Sequence, residues 1–314
     1  MMGNKAIRDA FGEILLSLGE KNENIVVLDA DVSGSTRTAM FGEKFPGRFY
    51  NVGVAEQNMV GIASGLSLNG YIPFISTFSF LLTMRALDQI RTSVAYPNLN
   101  VRIAGGYGGL SDSYDGPTHH SISDIAIMRA LPNMKVVVTS DAVSTKKIVK
   151  NSLDWEGPVF IRLSRAEVPV IYDNNYNFTL GKGKLIEGGD DITIIANGVM
   201  VSRIIEAAEI LKKDNINAQV IEMASVKPLD EKIIMESVNK TNAIMTVEEH
   251  NIIGGLGSAV AKVLAENSVG KPLTVMGIED TYTESGDYNE LLEKYGLDVN
   301  QIVDKAKKIL NESV

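Results

Sequence analysis

The chain has 314 residues, no cysteine, three histidines and a formal charge of −9 from 30 basic and 39 acidic side chains. Disulfides, thiolate metal sites and a cysteine nucleophile are therefore excluded, and the acidic balance argues against a broad nucleic-acid surface. Hydrophobic residues make up 45%, enough for sizeable cores, and the length suits two domains of about 100–200 residues each.

The chain reads as alternating helices and strands. Ile7, Phe11, Ile14, Leu15 and Leu18 share one helical face, with Gly19 and Asn22 as its stop. Residues 25–28 form a buried strand running into Asp29-Ala30-Asp31. Residues 56–69 are helical but hold Gly61 and Gly65, which suggests close packing against another backbone. Strand 71–76, helix 80–94 and strand 101–104 follow, then a polar, glycine-rich loop over 105–120. Strand 136–139, helix 141–152 and strand 159–163 complete the first series.

Residues 1–170 are thus expected to form one domain and 171–190 an irregular linker with Gly181, Gly183 and Gly188-Gly189. Residues 191–314 begin a second alternating series. Its strands are expected at 192–196, 219–223, 243–247 and 273–277, and its helices at 201–213, 230–238 and 257–266. Apolar runs separated by helices imply an α/β protein of two domains, each a mostly parallel sheet flanked by helices. No apolar run approaches the roughly 20 residues a membrane span needs, so a cytoplasmic location without membrane contact is expected.

Four segments could carry chemistry. Gly53-Val54-Ala55-Glu56-Gln57-Asn58 puts a carboxylate at the start of a helix, where the dipole also favours it for structural reasons alone. Asp112-Ser113-Tyr114-Asp115-Gly116-Pro117-Thr118-His119-His120 gathers two aspartates and two histidines after a strand, where α/β proteins place ligands. Its Asp-Gly-Pro is also turn chemistry. Arg162-Leu163-Ser164-Arg165 ends a strand and offers donors to an anion or to an interdomain salt bridge. Gly254-Gly255-Leu256-Gly257-Ser258 opens a helix as a tight turn, with an anion cradle as the second reading. These residues support either an enzyme with Glu, His and Asp in a polar site or a non-catalytic binding subunit.

In order and together, the segments resemble the C-terminal half of transketolases. Asn51-Val52-Gly53-Val54-Ala55-Glu56-Gln57-Asn58-Met59 is similar to the family's glutamate motif, and Asp115-Gly116-Pro117-Thr118-His119 to its substrate loop. Leu131-Pro132-Asn133 before Val136-Val137-Val138, and Arg162-Leu163-Ser164-Arg165, match its later segments. The resemblance covers essentially the whole chain and implies a pyrimidine-binding domain followed by the transketolase C-terminal domain.

It further implies thiamine diphosphate as cofactor and transfer of a two-carbon ketol unit between a ketose and an aldose. Glu56 would bond N1′ of the aminopyrimidine and favour its imino tautomer. Asp31, Phe78, Leu81 and Arg85 would also lie against the cofactor, although the family's second aromatic is replaced by Leu81, with Phe80 one residue away. His119 and Asp115 would bind substrate oxygens. Arg8, Ser35 and Arg165 would hold a phosphate or sulfonate, with Tyr107 where the family carries a loop histidine. No Gly-Asp-Gly occurs, so Mg2+ and diphosphate ligands are expected on an N-terminal transketolase subunit, in an α2β2 heterotetramer with the site at the interface. Alternatives with the same domain plan are the beta subunit of a 2-oxo-acid dehydrogenase and a 1-deoxyxylulose-5-phosphate synthase-like enzyme.

Overall fold

The computed structural model describes residues 2–312. Fourteen strands run in chain order: β1 Met2–Ala6, β2 Ile25–Asp29, β3 Phe49–Asn51, β4 Ile72–Phe78, β5 Arg102–Gly106, β6 Lys135–Val138, β7 Val159–Arg162, β8 Glu167–Val170, β9 Lys184–Glu187, β10 Ile192–Ala196, β11 Ala218–Glu222, β12 Ser225–Lys227, β13 Ala243–Asn251 and β14 Leu273–Ile278. The larger sheet has seven strands in the order β12-β6-β7-β5-β4-β2-β3, and the smaller has five in the order β14-β13-β10-β11-β9. All pairs are parallel except the two edges, β12 on β6 and β9 on β11. β1 and β8 make a separate antiparallel ribbon.

The strand sequences explain why the large sheet is covered on both faces. Successive side chains of a strand point to opposite faces. Val27, Phe74, Ala104, Val137 and Ile161 face one way, into a core shared with Ile7, Phe11, Leu15 and Leu18 of the helix Ile7–Gly19. Val26, Leu28, Ile75, Ile103 and Phe160 face the other, against Met59, Val60 and Ala63 of the helix Glu56–Leu68. Each Val, Leu, Ile, Phe or Met among them, fully buried, stabilises the fold by about 1.5–3 kcal/mol.

The first of these cores does not stop at the end of the first sheet. It continues through Leu163 and Val168 to Ile192 and Ile194 of the second, and to Met200 and Ile204 of the helix Met200–Lys213. β12, from the second half of the chain, pairs with β6 through Ser225 opposite Val137 and Lys227 opposite Val136. The two sheets are therefore joined by packing and by backbone hydrogen bonds.

Three expectations are corrected. The segment 171–190 is not wholly irregular, since β9 lies within it. The stretch 80–94 is an irregular helix, with wide π-type turns over Leu81–Arg85 and Ile90–Ala95 around Leu87–Gln89. Gly61 and Gly65 face outward, and a Cβ added at either would meet nothing within 4 Å, so they do not pack against another backbone of this chain. Among the described residues no helix is long and apolar enough to cross a membrane.

Candidate active site

Parallel topology collects the candidate residues at one edge. β7, β5, β4 and β2 are neighbours, so Arg162–Arg165, Tyr107, Phe78 and Asp31, each at or after a carboxyl end, meet although far apart in sequence. The helices before β2 and β4 run back over the sheet, which brings their starts, with Arg8 and Glu56, to the same edge.

Tyr107 is the centre of one group. It is buried, with a left-handed φ of 61° at the turn out of β5. Arg8 Nη1 donates to its hydroxyl at 2.8 Å and to the Ser35 carbonyl at 3.5 Å. The Arg165 guanidinium lies over its ring at 5.4 Å, and the Phe78 ring is 4.5 Å away. His119 extends the row, 6.1 Å from Phe78 and 5.2 Å from Phe80. The structure therefore brings Arg8, Ser35, Tyr107, Arg165, Phe78 and His119 together. Phe80, one residue off the expected aromatic position, is the ring set against His119.

Glu56 and Arg85 form a second group. Glu56 is fully buried, and Arg85 Nη1 reaches its two oxygens at 3.0 and 2.9 Å. Leu81 is half-buried, one helical turn earlier. Asp31 forms a third group with Asn51, whose amide donates to it at 2.9 Å. Asp31 is exposed, and its φ of 68° follows from the turn leaving β2. Buried Asp29 shapes that turn by accepting from Thr36, Thr38 and the Val32 N–H, each at 2.7 Å. Burial raises the Asp29 carboxyl, against the lowering effect of those donors.

The loop of residues 105–120 is held by the second half of the chain. Glu249 Oε1 accepts from the Leu110 N–H at 2.8 Å, and Gly109, at φ 70°, leaves room for it: a Cβ there would collide with the carboxyl carbon. His120 Nδ1 shares a proton with Thr283 at 2.6 Å, and the Gly286 N–H donates to the Ser113 carbonyl at 3.2 Å. Burial lowers the His120 pKa. Asp115 is exposed, and its N–H closes a turn on the Asp112 carbonyl at 2.8 Å.

Two sequence readings separate here. Arg162 is structural: it meets Asp124 at 2.8 Å and donates to the carbonyls of Ser121 and Glu249, all buried. Burial alone would raise the Asp124 carboxyl, but Arg162 and His250 outweigh it and hold it below the usual range. Arg165 instead turns toward Tyr107. The glycine turn at 254–257 cradles an anion from its own chain, since Glu248 accepts from the N–H groups of Leu256 at 2.7 Å and Gly257 at 2.8 Å. The helix Leu256–Glu266 is thus capped internally rather than by a ligand.

A buried carboxylate at a helix start, on the same sheet edge as an aromatic row, suits a planar heterocycle. It can bond a ring nitrogen, and Phe78 and Phe80 supply apolar faces. The donors present fit the aminopyrimidine half of thiamine diphosphate.

Comparison with known proteins agrees with this architecture. Residues 4–170 match the transketolase pyrimidine-binding domain, and residues 181–302 match the transketolase C-terminal domain. The 6-deoxy-6-sulfo-D-fructose transketolase subunit of Clostridium sp. (strain MSTE9) is 40% identical over 303 residues, spanning 96% of this chain and 94% of that protein. An apulose-4-phosphate transketolase subunit of Phocaeicola vulgatus is 37% identical over 308 residues, spanning 98% of each. A solved split-gene transketolase, described as an inactive β4 tetramer, superposes with a TM-score of 0.90 at 45% identity, covering 99% of this chain and all of that one. The chain belongs to the transketolase family, as the C-terminal subunit of a split enzyme. Membership implies dependence on thiamine diphosphate and an N-terminal partner subunit.

Proposed function

We propose that this chain completes a transketolase with an N-terminal subunit that carries the diphosphate and Mg2+ ligands, in an α2β2 assembly. The pair transfers a two-carbon ketol unit from a ketose to an aldose whose far end bears a phosphate or sulfonate. The observation that carries this reading is the row Arg8, Tyr107, Phe78 and His119, which sets cationic donors at one end and an imidazole at the other. Such a row suits a short sugar with an anionic terminus.

When bound, thiamine diphosphate supplies a nucleophilic carbon and a thiazolium ring that serves as electron sink. This chain's residues orient the reactants and handle protons. Glu56 would hold the ring nitrogen that its carboxylate can share a proton with. Asp31 and Arg85 would lie beside the cofactor, Leu81 would cover it, and Asp115 and His119 would bond substrate oxygens. Arg8, Ser35, Tyr107 and Arg165 would fix the anion.

The relatives named for sulfo-fructose and apulose-4-phosphate both handle anionic sugars, which supports the substrate class. Val54, Met84 and Tyr114, each within two residues of a site residue, are exposed apolar side chains, which supports cover by a second chain. Co-purified with its partner, thiamine diphosphate and Mg2+, the chain should give ketol transfer from an anionic ketose. No transfer from any phosphorylated or sulfonated ketose would overturn the proposal.

A further inference from the structure

We propose that Asp112 is a specificity-determining residue at the anion end of this site, favouring a substrate terminus with one negative charge over one with two. The inference rests on the transketolase reading above and sharpens its substrate class.

Asp112 lies on the 105–120 loop and is completely buried, and its carboxyl hydrogen-bonds the Asp115 side chain, which requires a proton on one of the two. Its Oδ1 stands 3.5 Å from Arg165 Nη1. Arg165 is the same guanidinium that lies over Tyr107, and Tyr107 accepts from Arg8. The pocket thus presents two guanidiniums, one phenol hydrogen still free to donate, and the neighbouring carboxyls of Asp112 and Asp115. With both carboxyls ionised, the two guanidiniums are already balanced. A sulfonate or a singly ionised phosphate then meets repulsion from Asp112 with one charge. A phosphate dianion meets it with two, at a buried carboxylate where screening is weak.

Protonation of Asp112 removes that conflict. Burial, then the neighbouring Asp115, push its carboxyl up to about 7, while Arg165 and Arg8 pull the other way. A sugar phosphate is mostly dianionic above about pH 6. Dianion binding is therefore linked to proton uptake at Asp112 and weakens as pH rises through neutrality. A sulfonate has a fixed single charge and responds less.

The test compares kcat/KM of the reconstituted complex for a phosphorylated ketose and its sulfonated counterpart between pH 6 and 9, for the native chain, Asp112→Asn and Asp112→Ser. In the native complex the sulfonate-to-phosphate preference should rise about tenfold from pH 6 to 8.5. Both variants should flatten that rise and improve the phosphate at pH 8.5 by about tenfold. Two substitutions of different size separate a charge effect from a local packing fault. Ketol transfer with the same preference at all pH values, or with a pH response unchanged in both variants, would overturn the role of Asp112 alone. Absence of transfer from every ketose would instead sink the functional proposal.

Discussion

Arg85 Nη1 bridges both oxygens of the Glu56 carboxylate, at 3.0 and 2.9 Å, and the arginine is half exposed while the glutamate is fully buried. The guanidinium therefore covers the solvent side of the one carboxylate that the fold places at the start of the helix Glu56–Leu68. A heterocycle approaching Glu56 must share it with Arg85 or displace it.

This pairing orders two substitutions. Glu56→Gln keeps shape but loses the proton-sharing group, so turnover of the assembled enzyme should fall by at least about 100-fold. Arg85→Gln should cost less, about tenfold or under, because it removes a competitor and a contact rather than the acid–base group. Steady-state kinetics at saturating thiamine diphosphate, with circular dichroism to verify the fold, would check the ranking. Equal losses would show that Arg85 is part of the chemistry.

Arg162 and Asp124 are a buried pair whose separation should be costly. Arg162→Met leaves the Asp124 carboxylate unpaired in the interior, with an expected loss of about 3–5 kcal/mol in urea unfolding. The Asp124 carboxyl is held low, so the stability it contributes is present above its ordinary value of 3.8 and lost as pH falls through its folded value. Native protein should therefore lose this contribution only under strongly acid conditions. Asp124→Asn should remove that part of the acid sensitivity.

Glu249 has the opposite sign. Burial raises its carboxyl to about 7 despite Arg162, so folding is penalised as pH rises from the ordinary 4.5 toward that value. Glu249→Gln keeps an acceptor for the Leu110 N–H and should stabilise the chain at pH 8 by on the order of 2 kcal/mol, with little change at pH 4. Thermal unfolding at the two pH values measures it. A variant less stable at pH 8 would refute the assignment.

Gly109 tests the seating of the loop of residues 105–120. Gly109→Ala adds a methyl at a left-handed φ of 70°, directly against the Glu249 carboxyl carbon. Strain of about 1–3 kcal/mol is expected from the backbone alone. Because the residue holds the loop rather than touching substrate, steady-state kinetics should show KM rising more than kcat falls.

Much of this is legible in the residues, and what is not has physical causes. Ile7, Phe11, Leu15 and Leu18 show the helical period, and the apolar runs of β2, β7 and β10 announce strands buried on both sides. β9 and β12 are four and three residues long, and each exists only because a distant strand pairs with it. No local pattern could show that. Glu56, His119, Arg8 and Arg165 are visible as motif members, but the hold of Glu249 and Thr283 on the loop depends on the second half of the chain folding over the first. Gly61 and Gly65 suggest close packing, as small residues do, yet nothing in this chain lies against them. Phe80 is visible in the sequence beside the expected position, but its approach to His119 is a tertiary contact that no local spacing shows.

The pairing of β12 with β6 bears on where this polypeptide can be divided. A cut through residues 171–190 would strip the seven-stranded sheet of its outer strand and bare the backbone of Val136–Val138. The amino-terminal fragment would carry an open, apolar edge of the kind that recruits other chains. The carboxy-terminal fragment would keep a strand with nothing to pair with. The two sequence modules thus share a sheet and a core, and a cut between them divides both.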